Sequence, residues 1–276
     1  MSKRELEGRV ALVTGGGSGQ GRATALALAE MGADIVFGSF VAGHGTMAPG
    51  ESTTYPSDEE MAQVKAAIEQ HGVRAHGQHH DVRSDESCQD LVDSAILNFG
   101  GIDVLANVAG ICMQGPISGH DDAAWNKVID INLTGTYRMV KRCLPGMIDK
   151  GWGRIVIVAS TAANVSEPNY GAYCASKAGV LGLMRCTALE AAPFGVTCNA
   201  INPGFVETGM VAGDMEALAR HNNITIEEAY AQSAAVSPMN RMLQPEEIAA
   251  MAAFLCTDAA RGITMEDINV AMGSLW

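Results

Sequence analysis

Nowhere in this sequence is there an apolar run long enough to cross a bilayer, and the opening MSKRELEGRVALVTG has no stretch of signal-peptide length before its first strand. A soluble, unprocessed, cytoplasmic protein is expected. Basic residues are scarce: 18 lysines and arginines face 31 aspartates and glutamates, giving a formal charge of −13 and a pI near 4.9. Nucleic acid and anionic membrane surfaces need basic patches, so neither is expected as a partner. No pair of cysteines has CxxC spacing. The seven present (Cys88, Cys112, Cys143, Cys174, Cys186, Cys198, Cys256) sit mostly inside apolar segments and read as reduced core residues. Internal repeats and low-complexity tracts are also missing. What is there is 276 residues with 47% hydrophobic content, enough to bury one sizeable core and with no demand for a second domain.

The chain alternates strand and helix from end to end. Val10 to Thr14 is a short buried-strand run, a glycine loop follows, and the alanine- and leucine-rich Arg22 to Met31 reads as helix. The same rhythm predicts strands near Asp34–Phe37, Arg74–Asp81, Asp103–Asn107, Arg154–Ala159, Val196–Asn202 and Ile268–Ala271. Seven strands with helical crossovers make an α/β, doubly wound (Rossmann) parallel sheet in one domain. Helix starts are marked by Ser84 ahead of Asp85 and Glu86, by Asp121 ahead of Asp122, and by Pro245 ahead of two glutamates. Two stretches break the rhythm. Residues 41–57 (VAGHGTMAPGESTTYPS) form a glycine-, proline- and hydroxyl-rich surface loop, longer than a βα connection usually is. Residues 205–241 read equally as a lid over a site or as an ordinary helical excursion.

Two local patterns carry chemistry. Between the first strand and helix the chain reads TGGGSGQG, with Gly15, Gly19 and Gly21 at the corners of the turn. Glycines there let a pyrophosphate approach backbone amides at the positive end of a helix. Further along, Lys177 follows Tyr173 by four residues in YCASK, and Ser160 precedes the tyrosine by thirteen at the end of IVIVAS. An i, i+4 pair shares one helix face, so the ammonium can stabilise the phenolate. A phenol with its ordinary pKa of about 10 is otherwise a poor base at neutral pH.

The elements TGxxxGxG at Thr14 to Gly21, NVAG at Asn107 to Gly110, Asn132 in DINLTG, Ser160, YCASK and NPGFVET at Asn202 to Thr208 fall in one order along nearly the whole chain. That order and spacing resemble the single-domain short-chain dehydrogenases/reductases. The resemblance implies an NAD(P)-dependent oxidoreductase moving a hydride between nicotinamide and a secondary alcohol or ketone. It makes Tyr173 the proton donor or acceptor for the substrate oxygen, and Lys177 the group that tunes it and binds the nicotinamide ribose. It also makes Ser160 the hydroxyl that orients the carbonyl, and Asn132 the holder of a water in a proton relay reaching Lys177. A buried side chain bonding backbone is the plainer account of Asn132. For the cofactor the resemblance implies contacts from Gly15, Ser18, Gly19, Gln20, Gly21 and Ser39. Asp81 and Val82 then fall at the adenine, and Asn107, Ala109 and Gly110 at the adenosine ribose and nicotinamide half. Pro203, Gly204, Val206 and Thr208 fall at the carboxamide.

The resemblance also puts the usual NAD-selecting acidic residue at the end of the second strand, where this chain has Ser39 followed by Phe40. A basic marker for NADP is missing as well, since Ser18 takes its glycine-loop position and no lysine or arginine lies between Arg22 and Lys65. A 2′-phosphate wants a charge-assisted partner worth about 1.5–3 kcal/mol. NAD is therefore expected, with NADP the alternative through Arg22, Arg83 or the long loop, which is well placed to cover the adenosine end. His76, His79 and His80 cluster before Asp81, but adjacent strand residues point to opposite faces, and no metal is expected. Cys112, Met113, Gln114, Asn169 and Tyr170 are candidate substrate-pocket residues, with Met210, Met215 and Met239 as candidates if the lid closes. The resemblance implies a homotetramer or homodimer through the helices containing Asn132 and Tyr173, and Trp276 could join such an interface. A catalytically silent dinucleotide sensor on the same fold is the rival reading, and an epimerase or dehydratase a third.

Overall fold

Successive side chains of a strand point to opposite faces. In the computed structural model, which describes residues 4–45, 55–166 and 168–274, Val10 and Leu12 accordingly join one apolar cluster while Ala11 and Val13 join another. The strands among the described residues are β1 (Val10–Thr14), β2 (Asp34–Ser39), β3 (Ala75–His79), β4 (Val104–Asn107), β5 (Gly153–Val158), β6 (Val196–Pro203) and β7 (Asp267–Val270). They form one sheet, all parallel, in the order β3-β2-β1-β4-β5-β6-β7. Both faces need covering, because strands such as β1 and β5 are apolar on each side.

The helices that cover them are α1 (Gly19–Glu30), α2 (Asp58–Glu69), α3 (Asp85–Phe99), α4 (Asp122–Ile129), α5 (Gly135–Lys150), α6 (Gly171–Ala191), α7 (Gly209–Asn222), α8 (Ile226–Ala235) and α9 (Pro245–Leu255). Leu28 of α1, Ile68 of α2 and Ile248 of α9 pack on one side of the sheet. Leu91 of α3, Met139 of α5 and Leu181 of α6 pack on the other. Ser84 and Asp121 cap their helices through bonds to the amides of Ser87 and Ala124, and Pro245 takes the first helical position of α9. Strand order reverses between β1 and β4, whose register pairs Thr14 with Asn107. A crevice opens there at the carboxyl ends of the strands, the place where open α/β sheets bind ligands.

Three expectations need adjusting. The third strand is shorter at both ends than Arg74–Asp81: Arg74 turns its guanidinium onto Asp34, and Asp81 curls to accept from Arg83. The first helix begins at Gly19 rather than Arg22, because the glycine loop runs directly into its first turn. Cys186 is exposed and Cys112 half-buried, while the other five cysteines are buried. Cys186 lies on the outer face of α6 with Ala175, Ala178 and Gly182, a helix so evenly apolar that its sequence does not say which face is inside.

The long excursion after β6 folds as a hairpin of α7 and α8 with its own small core of Met215, Ala219, Ala229 and Met242. Met215 is thus committed to that core, Met239 is exposed, and the side chain of Met210 lies outside the described residues. Most of the 41–57 loop (46–54), and Trp276, also lie outside them. The two ends of the loop meet: Ala42 N donates to the Pro56 carbonyl at 2.9 Å, and the rings of Phe40 and Tyr55 are 4.9 Å apart. Among the described residues no helix is long and apolar enough to cross a membrane.

Candidate active site

Tyr173 and Lys177 occupy the first two turns of α6, on one face of the helix, with the Lys177 ammonium 5.7 Å from the tyrosine ring centre. Lys177 is buried, 4% exposed, and its Nζ donates to the Val158 carbonyl at 2.8 Å. That bond ties α6 to the carboxyl end of β5, two residues before Ser160. Burial pushes Lys177 down from 10.5 to about 8, with Cys112 as an ionisable neighbour acting the other way. Ser160 is itself buried, and its Oγ accepts from the Ala162 amide at 3.1 Å, opening a 3-10 turn (Thr161–Ala163) that packs against α6.

Asn132 sits in a π-helical turn (Asp130–Thr134) between α4 and α5, a local widening that turns its side chain inward. The amide clasps two elements. Its Oδ1 accepts from Ile111 N at 2.9 Å, and its Nδ2 donates to the Ile111 carbonyl at 2.9 Å and to Ser176 Oγ at 3.0 Å. A β-carbon on Gly110 would lie 3.3 Å from Asn132 Oδ1 and 3.4 Å from Lys177 Nζ. A side chain at that position would press on both groups, so glycine suits the point where the chain after β4 meets Asn132 and Lys177. Beyond them Gln114 Nε2 donates to the Tyr170 hydroxyl at 2.7 Å and Gly115 N to the Asn169 carbonyl at 2.8 Å, so the candidate pocket residues 114, 169 and 170 do come together.

A cleft of about 250 Å³ runs across the crevice, lined by Gly15, Ser18, Gly19, Gln20, Gly21, Ser39, Asp81, Val82, Ala109, Gly110 and Thr208 among others. A β-carbon on Gly21 would collide with the Gly15 carbonyl, so only glycine lets α1 start this close to β1. Thr208 takes the N-cap position of α7 without a side-chain bond to the helix, and its Cγ2 faces the glycine loop, 3.3 Å from where a Gly19 β-carbon would be. Two buried polar atoms beside the cleft, Gln20 Oε1 and Asn107 Nδ2, have no hydrogen-bond partner among the described residues. Orphaned groups of that kind fit a polar ligand laid along a helix N-terminus.

Other expected contacts are indirect. Ser39 Oγ accepts from Gly17 N at 2.8 Å, so its hydroxyl shapes the glycine loop. Asn107 Oδ1 accepts from Thr14 Oγ1 at 3.4 Å within the sheet. Val206 is buried, held by its bridge to Leu243, and Pro203 ends β6 in the core. Gly204 donates to the Val270 carbonyl at 3.1 Å. Asp81 takes a forked bond from Arg83, with Nε to Oδ1 at 2.9 Å and Nη2 to Oδ2 at 2.7 Å. That pairing holds the Asp81 carboxyl below its ordinary range despite partial burial.

The sequence model of the enoyl-(acyl carrier protein) reductase family matches residues 52–274. A D-beta-hydroxybutyrate dehydrogenase of Cupriavidus necator is 36% identical over 259 residues, covering 94% of each chain. The chain belongs to the short-chain dehydrogenase/reductase family. Within this family an actinorhodin polyketide ketoreductase solved with NADPH superposes with a TM-score of 0.86 at 34% identity, over 99% of both chains. A carveol dehydrogenase from Mycobacterium avium solved with NAD gives a TM-score of 0.91 at 29% identity, over 98% of both. The protein is an NAD(P)-dependent oxidoreductase of alcohols and ketones.

The cleft also holds Glu60 in α2, which the sequence reading did not single out, together with Tyr55 and Pro56 from the end of the long loop expected at the adenosine side and His80 from the histidine cluster. His80 donates through Nδ1 to the Ser87 carbonyl at 3.3 Å, and burial pushes it down to about 4, which keeps it neutral. Its neighbour His79 instead accepts from Val41 N at 3.1 Å. A signal for Glu60 did exist. Ser57 and Glu60 are spaced as a capping box, and both reciprocal bonds are formed.

Proposed function

We propose that Tyr173 is the acid/base of a hydride-transfer reaction on a secondary alcohol or ketone, with Ser160, Lys177 and Asn132 in supporting roles. In the oxidative direction the carbinol carbon gives up its hydrogen with the bonding pair, and the hydroxyl proton passes to the Tyr173 oxygen. Nicotinamide, when bound, supplies the hydride acceptor or donor. Ser160 Oγ offers a hydrogen bond to the substrate oxygen, and Lys177 keeps positive charge beside the phenol and binds the nicotinamide ribose. Asn132 fixes the geometry of this group by clasping Ile111 and Ser176, and its turn holds a water of a proton relay that reaches Lys177. The observation that carries the proposal is the buried ammonium of Lys177, held by Val158 and 5.7 Å from the centre of the Tyr173 ring. A buried ammonium with no carboxylate partner among the described residues is costly and finds its use in stabilising a phenolate.

The same reading assigns the cleft to the dinucleotide, with NAD preferred over NADP. The α7–α8 hairpin serves as lid, and Tyr55 and Pro56, at the described end of the long loop, cover the adenosine end. A cytoplasmic setting suits seven cysteines that are all free. Exposed Tyr137 on α5 and Leu189 on α6 support a homodimer or homotetramer through these helices, testable by sedimentation. The catalytic proposal is tested with a panel of alcohols and ketones assayed by nicotinamide absorbance with each dinucleotide. Turnover of a secondary alcohol or its ketone is expected. Dinucleotide binding without turnover of any member would instead favour the silent sensor.

A further inference from the structure

The end of β2 offers the adenosine ribose no acid, since Ser39 stands there, its hydroxyl oxygen accepting from Gly17 N. An acid arrives from elsewhere. A β-carbon on Gly17 would lie 2.5 Å from Met61 Sδ and 2.7 Å from Pro56, so the first turn of α2 is seated directly on the glycine loop. Glu60, next to Met61, lines the cleft together with Ser39, Tyr55 and Pro56. Its carboxylate is fixed, because Ser57 donates to Oε2 from its amide at 2.7 Å and from its hydroxyl at 3.0 Å. Those bonds also hold it below its ordinary pKa, hence ionised at neutral pH.

The pyrophosphate belongs on the glycine loop and the nicotinamide half beside Tyr173, which leaves the β2 side of the cleft to the adenosine half. NADP differs from NAD by a 2′-phosphate on that ribose, a dianion that needs a cation. The cation among the lining residues is Arg83, and its fork is already closed on Asp81. The rest of the long loop supplies none, for residues 41–57 contain no lysine or arginine. The cleft therefore presents two carboxylates against one guanidinium.

We infer that Glu60 sets the preference for NAD over NADP by holding a fixed negative charge beside the adenosine ribose. The inference rests on the reading of the cleft as the dinucleotide site. It acts by repulsion, so its effect falls mainly on NADP through the 2′-phosphate and far less on the more distant pyrophosphate that both dinucleotides share.

The test is a fluorescence titration of NADH and NADPH into the full chain, which needs no substrate. Glu60→Gln keeps a hydrogen-bonding side chain in the capping box while removing the charge. It should tighten NADPH about fivefold or more at low ionic strength and leave NADH within about twofold, with the gain shrinking as salt is added. Glu60→Lys should carry the change further in the same direction. Glu59→Gln, one residue away and outside the lining of the cleft, should leave both affinities as they are. An unchanged NADPH-to-NADH ratio in both Glu60 variants overturns the inference, whichever dinucleotide the parent prefers. Equal weakening of both dinucleotides also overturns it, since that would mark a purely structural cap. If the parent binds neither dinucleotide, the reading of the cleft fails and the inference with it.

Discussion

Replacing Lys177 by methionine should make the apo protein more stable while disabling it. The ammonium is buried, and burial pushes it from 10.5 down to about 8. The unfolded chain therefore holds this proton more tightly than the native one. Between about pH 8 and 10.5 the unfolded state binds more protons, so stability rises with pH across that window, and below it the full cost of the buried charge is present. A difference of about 2.5 in pKa corresponds to about 3 kcal/mol near pH 7. Methionine has a similar length and no charge, and it removes this cost. It also removes the bond from Nζ to the Val158 carbonyl, a loss of about 1 kcal/mol. The net expectation is a gain of about 2 kcal/mol near neutrality, or roughly 4–8 °C in melting temperature.

The pH dependence is the sharper readout, because the lost bond to Val158 contributes equally at every pH. Near pH 9.5 the cost of the buried charge in the parent has fallen by about 2 kcal/mol, so the advantage of Lys177→Met should nearly vanish there. Urea unfolding of both proteins, stripped of dinucleotide, at about pH 7 and about pH 9.5 measures this directly. A variant less stable than the parent near neutrality, or a gap that does not close as pH rises, would refute the reasoning. The ammonium would then be stabilised by its surroundings, and its burial would give no sign of a functional charge.

Other outcomes follow from the same geometry. Ser160→Ala should lower kcat about 100-fold with the dinucleotide KM unchanged, because the proposed role of the hydroxyl is to meet the substrate oxygen and its protein bond among the described residues is the one to Ala162 N. Steady-state kinetics in both directions check this, and a matching rise in the dinucleotide KM would move Ser160 to the cofactor site. Ser39→Ala should weaken NADH and NADPH binding alike, by about tenfold at most, since it releases the Gly17 amide that shapes the glycine loop. A selective effect on one dinucleotide, seen by fluorescence titration, would show that Ser39 touches the ribose itself.

Much of this was legible in the sequence because it is local. Tyr173 and Lys177 lie one helical turn apart, Ser84 and Asp121 announce their helices by hydroxyl and carboxylate caps, and the alternation of Val10 to Thr14 follows from strand geometry. What was not legible depends on where distant segments meet. Glu60 is 21 positions beyond Ser39, yet α2 carries it back onto the glycine loop across an intervening loop of irregular sequence. The engagement of Asp81 by Arg83 depends on how the chain turns after β3, and an apolar-to-polar pattern does not encode that turn. The π-turn at Asn132 is likewise invisible, since one extra residue in a helix leaves no mark in composition. Cys186 was expected in the core and is exposed, because small apolar residues surround the whole of α6 and hide which face is inside.

The most direct test of the account is Tyr173→Phe, measured for turnover of an accepted alcohol and for NADH binding in the same preparation. Removing one hydroxyl leaves the ring against Lys177 in place, so binding should persist within about threefold while kcat falls by about 100- to 10,000-fold. Turnover near that of the parent would contradict the assignment of Tyr173 as the acid/base.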